Sequence, residues 1–176
     1  MVDLNVFCDP MTDRPESRYD LSTPWVYEGW RYATDGRICV REPAPGEPSA
    51  PDVRAFGSNK GKRPRAHDYF AAFPKNGFTG DWPAAEYGEE PCTACGGEDK
   101  CECSGCGALH ECEKCHGRKR EYKASMIAGR RIAGRLVVRI GLLDGVKFRS
   151  AGDKEDAICF IDAHGRQGKV MPMVPN

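Results

Sequence analysis

The pattern of apolar and polar positions divides the chain into structured stretches near its two ends and a polar, turn-rich middle. Residues 25–41 read Trp-Val-Tyr-Glu-Gly-Trp-Arg-Tyr-Ala-Thr-Asp-Gly-Arg-Ile-Cys-Val-Arg. Aromatic and β-branched residues flank Asp35-Gly36, a dipeptide that tolerates positive φ, so the spacing predicts a β-hairpin with Cys39 in the core of its second strand. Residues 122–132 read as a strand and residues 133–143 as a short helix. In that helix Leu136, Val137, Ile140 and Leu143 recur on one face. Arg131, Arg135 and Arg139, four residues apart, form a stripe on the other side. Gly134, Gly141 and the Val137-Val138 pair weaken its helical propensity. Three further strands are expected over 145–150, 157–162 and 168–174, separated by turns at Asp153 and at 163–168. Residues 1–24 are polar and turn-rich and predict no element.

The middle is different in kind. Residues 42–66 are rich in proline and glycine and carry a basic patch, Arg54, Lys60, Lys62, Arg63 and Arg65, with Asp52 just before it. Such a composition has too little apolar surface to order itself and predicts a flexible loop. Residues 67–83, with Tyr69-Phe70, Phe73-Pro74 and Trp82-Pro83, predict a short packing segment.

Length and composition fit one soluble α+β domain: 176 residues, 40% hydrophobic and 30% charged. An antiparallel sheet with one or two short helices is the expected architecture. No stretch approaches the roughly 18 apolar residues of a membrane span. The N-terminus Met1-Val2-Asp3-Leu4-Asn5 lacks a basic and an apolar export region. A cytoplasmic location and no membrane partner are therefore expected.

Seven of the ten cysteines fall between Cys92 and Cys115. Cys92-Thr-Ala-Cys95-Gly, Cys103-Ser-Gly-Cys106-Gly and Cys112-Glu-Lys-Cys115-His-Gly are C-x-x-C units followed by glycine. This spacing turns two thiolates to one side of a tight turn, and two such turns supply four tetrahedral ligands. Zinc is the expected cofactor, with two ions the expected number. One pairing gives Cys92, Cys95, Cys112 and Cys115 as one site and Cys101, Cys103, Cys106 and His110 as the other. A competing arrangement joins the first two knuckles and leaves the third with Cys101 or a histidine. The thiolate-rich set favours a structural role over a catalytic one. A reducing cytosol keeps such thiols available for metal.

Charge is zero in sum but polarised along the chain. Residues 86–113 hold eight acids against Lys100, and residues 114–139 hold nine basic residues against Glu121. Lys60, Lys62, Arg63 and Arg65 of the loop are candidate contacts to nucleic acid or to a partner chain.

Two resemblances add to this. The knuckles resemble the cysteine-rich region of DnaJ-type co-chaperones over residues 92–117, with three units and without the second glycine of each. No His-Pro-Asp tripeptide is present, so co-chaperone activity does not carry over. The turn Ala33-Thr34-Asp35-Gly36-Arg37, the segment Leu142-Leu143-Asp144-Gly145-Val146-Lys147-Phe148 and the terminal Val170-Met171-Pro172-Met173 resemble the bacterial sliding clamp, the β subunit of DNA polymerase III. Together, a clamp-like domain and a knuckle insertion resemble certain phage-encoded proteins. This resemblance implies a discontinuous clamp-like α+β domain over 1–91 and 118–176, with 92–117 inserted. It also implies a role in phage or mobile-element DNA replication, in the host cytoplasm, with oligomers if a ring forms. Clamp inner helices present basic residues toward DNA, so the resemblance casts Arg131, Arg135 and Arg139 as contacts to duplex DNA phosphates, beside the loop residues Lys60, Lys62, Arg63 and Arg65. The alternative is a protein-interaction adaptor whose knuckles hold a partner chain.

No P-loop, G-x-S-x-G elbow or H-E-x-x-H motif appears. His67-Asp68 and Asp162 with His164 are the scattered candidates for chemistry, and a non-enzyme is the expectation.

Overall fold

A computed structural model of the chain describes residues 2–10, 19–51, 53–54, 63–92, 95–96, 98, 100–102, 109–111, 120–149 and 157–173. The chain opens with a 3-10 turn at Leu4–Phe7, started by Asp3, whose carboxylate accepts the Asn5 N–H. Leu4 and Phe7 are both buried. Their i, i+3 spacing behind a capping aspartate was a legible signal in a segment expected to hold no element.

Three strands follow: β1 (Trp25–Tyr27), β2 (Trp30–Thr34) and β3 (Ile38–Pro43). The Asp35-Gly36 turn joins β2 to β3 as expected. A second tight turn at Glu28-Gly29 makes the region a three-stranded meander instead of one hairpin. Both of its residues take positive φ, 48° and 75°, which suits the right-handed twist of a hairpin but uses a glutamate where asparagine or aspartate is the usual signal.

The expected loop over 42–66 is partly structured. Its flanks form β4 (Val53–Arg54) and β5 (Arg63–Pro64), which pair in parallel. Arg63 donates to the Thr23 backbone and hydroxyl and meets Asp20 at 3.0 Å, so a basic side chain supplies the anchorage that apolar residues do not. The segment 55–62, with Lys60 and Lys62, lies outside the described residues. Next come α1 (Ala66–Tyr69) and β6 (Gly80–Asp81).

The cysteine-rich segment is entered by β7 (Tyr87–Pro91) and contains β8 (Lys100–Glu102) and β9 (Leu109–Glu111). It is left by β10 (Arg120–Tyr122), which pairs antiparallel with β7. The single strand expected over 122–132 is instead the end of β10 and a separate hairpin, β11 (Ser125–Ile127) and β12 (Arg130–Ile132). Its turn, Ala128-Gly129, again has two positive φ values, 51° and 74°, with alanine in the place of a turn former. Then come α2 (Gly134–Gly141), β13 (Lys147–Arg149), β14 (Ile158–Ile161) and β15 (Gln167–Val170), where a helix and three strands were expected.

The protein is an α+β molecule built on one seven-stranded antiparallel sheet in the order β1-β2-β3-β15-β14-β13-β6. Pairing of β15 with β3 joins the N-terminal meander to the C-terminal one. The cysteine-rich segment, the β11–β12 hairpin and α2 belong to one excursion from this sheet between β6 and β13. Alternation along the strands sends Ile38, Val40, Ile158, Phe160 and Val170 to one cluster with Leu136, Val137, Ile140 and Leu143. Trp25, Tyr32 and Cys39 enter a second cluster with Ala66 and Phe70.

Helix α2 depends on this packing. An isolated eight-residue helix is unstable in water, and each glycine costs about 1 kcal/mol relative to alanine. Burial of Leu136, Val137 and Ile140 returns about 1.5–3 kcal/mol for each side chain.

Cys39 is in the core, as expected. Burial pushes its thiol up to about 12 and that of Cys8 up to about 11. Both stay neutral at pH 8, so mass mapping after alkylation should find them unmodified in native protein and modified in urea. Their stabilising contribution is complete below pH 9, where the unfolded thiols are also neutral. It is lost as pH rises from 9 through 11 and 12, because only the unfolded chain ionises freely there.

Candidate metal and phosphate sites

The β7–β10 pair sets Pro91 opposite Arg120, so the cysteine segment leaves and returns at one place. At its root, Cys92 is wholly buried and Cys95 nearly so. Neither belongs to either apolar cluster of the protein. Buried cysteines usually pack as small hydrophobes within a core, and these two are buried elsewhere. Gly96 follows with φ of 59°, and Glu98 N–H donates to the Cys95 carbonyl at 2.9 Å, which closes a tight turn just after the C-x-x-C unit. Farther along, the β8–β9 register sets Cys101 directly opposite His110.

The remaining nominated ligands, Cys103, Cys106, Cys112 and Cys115, lie outside the described residues. Among the described residues no group of three or more potential ligands converges. The donor set fits zinc by its chemistry: thiols and one imidazole, the soft-ligand mixture that zinc takes.

The nominated basic residues separate sharply. Arg63 is held by Asp20 and Thr23, and Arg65 lies 3.7 Å from Asp68. Arg139 donates to Asp35 Oδ2 at 2.7 Å, with the aspartate largely buried. Arg131 stands on β12, before the helix begins, so the expected three-arginine stripe along one helix does not form. Ala133, with extended backbone angles of −60° and 132°, breaks the helical register between Arg131 and Arg135. Arg131 and Arg135 are exposed. Both line a cleft of about 340 Å³ together with Arg37, from the turn between β2 and β3. Arg37 was missed because a single basic residue in a hairpin turn carries no sequence signal of its own. Only the fold brings it to the others.

The tail makes that convergence. Met171 N–H donates to the Arg37 carbonyl at 2.8 Å and Met173 N–H to the Arg131 carbonyl at 2.7 Å. Pro172, which has no N–H, sits between them.

His67 is hydrogen-bonded through Nδ1 to the Tyr32 hydroxyl at 3.2 Å, and its Nε2 lies 3.5 Å from Glu28. His164 lies 3.7 Å from Asp144, while Asp162 Oδ1 accepts the N–H groups of His164 and Arg166 and so shapes a turn. No helix among the described residues is long and apolar enough to cross a membrane. No family model matches the chain, and no curated protein or solved structure matches it either.

Proposed function

We propose that the chain is a non-catalytic, zinc-binding, clamp-like protein of phage or mobile-element DNA replication or a related DNA-associated assembly. The observation that carries the zinc reading is the burial of Cys92 and Cys95 outside both apolar clusters, at the root of a strand-paired excursion. Cys92, Cys95, Cys112 and Cys115 hold one ion in this reading, and Cys101, Cys103, Cys106 and His110 hold the other. Zinc, when bound, supplies a tetrahedral cross-link that a segment with so little apolar side chain cannot provide for itself. The antiparallel sheet with α2 packed on one face supports the clamp-like reading. Exposed Arg131 and Arg135 support contact with duplex DNA.

Replacement of Cys92 or Cys95 by serine should lower bound zinc by one ion per chain and leave the denaturant midpoint of the sheet, read by tryptophan fluorescence, nearly unchanged. Cys39→Ser should do the reverse. Unchanged zinc content in Cys92→Ser would remove the basis of the reading.

The adaptor reading has one observation in its favour. Leu109, at the start of β9, is 67% exposed, an apolar side chain presented by the knuckle segment itself. An adaptor would show no affinity for duplex DNA at moderate salt and would lose its partner on replacement of Leu109. The adaptor reading also expects loss of the partner when Glu113 and Lys114 of the third knuckle are changed; both lie outside the described residues.

A further inference from the structure

We propose that the cleft bounded by Arg37, Arg131 and Arg135 binds phosphate oxygens of a duplex DNA backbone, an assignment that rests on the DNA-associated reading above. Three exposed arginines, from the β2–β3 turn, β12 and α2, line one cleft. None of the three has an acidic partner among the described residues. The nearest acid in sequence, Asp35, is already engaged. Its Oδ2 accepts from Arg139, and its Oδ1 accepts the N–H groups of Arg37 and Ile38. Arg139 thus spends its charge shielding Asp35, and the cleft stays cationic.

The helix adds to this field. Ala133 and Gly134 at the start of α2 also line the cleft. No side chain caps this end, and its first turn has no acid. Arg135 stands instead in that first turn, where the positive end of the helix dipole disfavours a cation. Like charges gathered in this way gain most from an anion placed among them.

The geometry is held in place from both sides. A Cβ on Gly134 would come within 2.4 Å of the Lys123 carbonyl oxygen and 2.5 Å of that of Tyr122, so the helix start sits hard against the end of β10. The 171–173 tail ties the Arg37 and Arg131 backbones together. Apart from Tyr122, the rest of the wall is small or apolar, Ala124, Ala133, Gly134 and Met173, with no amide side chain to read a base edge. Arginine's forked donors suit phosphate oxygens, and binding through them is independent of sequence.

Fluorescence anisotropy with a labelled random-sequence duplex tests this. Wild-type protein should bind with a steep salt dependence. Arg37→Glu, Arg131→Glu and Arg135→Glu should each weaken binding about tenfold. Each should also reduce the slope of log affinity against log salt by about 0.9. Lys75→Glu makes the same charge change at an exposed residue away from the cleft and should bind nearly as wild type. Unchanged unfolding midpoints establish that the variants fold. If wild type binds and the three cleft variants bind equally well, the cleft assignment is overturned while the DNA reading survives on other residues. If wild type does not bind duplex, the DNA reading fails and takes the cleft assignment with it. Binding of an acidic peptide in place of duplex, with the same arginine dependence, overturns the assignment in favour of a protein occupant.

Discussion

Replacement of Arg166 by alanine should cost about 3–5 kcal/mol of folding stability, among the largest effects of any single substitution in this chain. The guanidinium is almost wholly buried between strands. Nε donates to Glu42 Oε2 at 2.8 Å and a terminal nitrogen donates to the Val2 carbonyl at 3.0 Å. Its other terminal nitrogen lies 3.9 Å from Asp162 Oδ2, an oxygen with no hydrogen bond of its own in a fully buried carboxylate. Removing the cation leaves the buried Asp162 carboxylate without a cation, leaves Glu42 paired with Arg31 alone, and removes a tie to the N-terminal segment that delivers Leu4 and Phe7 to the core. Asp162→Asn should cost much less, because Oδ1 can still accept from His164 and Arg166. Lys147→Ala, which breaks only the exposed pair with Asp81, should cost less than about 1 kcal/mol. Urea denaturation of the three variants gives the ranking. Equal losses in Arg166→Ala and Lys147→Ala would show that the buried network is not what holds this edge.

The second large effect is expected at Gly168. In the β14–β15 register it lies opposite Phe160, whose ring is laid across the glycine in the space a side chain would need. A Cβ at this position would come 2.0 Å from the ring. Phe160 is fully enclosed by the sheet and α2, so it cannot swing away. Gly168→Val should lose about 3 kcal/mol, the upper part of the range for overpacking a core, despite the better strand propensity of valine. Gly80 has the same relation to Phe148, with a nearest approach of 2.4 Å. Phe148, on the strand next to the edge strand β6, is only partly buried, so Gly80→Val should cost less. A Gly168→Val protein as stable as wild type would mean that the ring has somewhere to move.

The parts of this fold that were legible are those with local, periodic signals. Leu136, Val137, Ile140 and Leu143 recur at helical spacing, and all four are buried. The C-terminal strands alternate, and a turn over 162–166 separates β14 from β15; the turn expected at Asp153 lies outside the described residues. What escaped was encoded by shape at single positions. Glu28-Gly29 and Ala128-Gly129 turn the chain sharply although their first residues rarely adopt positive φ. The arginine spacing from 131 to 139 reads as one helical face only if Ala133 is helical, and it is extended. Arg37 and Arg131 become neighbours through a tail whose only sequence mark is Met171-Pro172-Met173. The resemblance to sliding clamps rests on short motifs, and neither family models nor known structures add to it. For the proposed metal site, the C-x-x-C spacing names candidate ligands. The pairing of ligands remained open because several partitions satisfy the same spacing.

Native mass spectrometry of the full chain purified without chelator bears most directly on the central claim, since it reads zinc content and assembly mass together. The account predicts two zinc ions per chain, lost together with the compactness of the cysteine segment on chelation. A ring-sized oligomer would add support for the clamp-like assembly, and a monomer would restrict the protein to binding DNA as a single module. A chain carrying no zinc would contradict the account at its root.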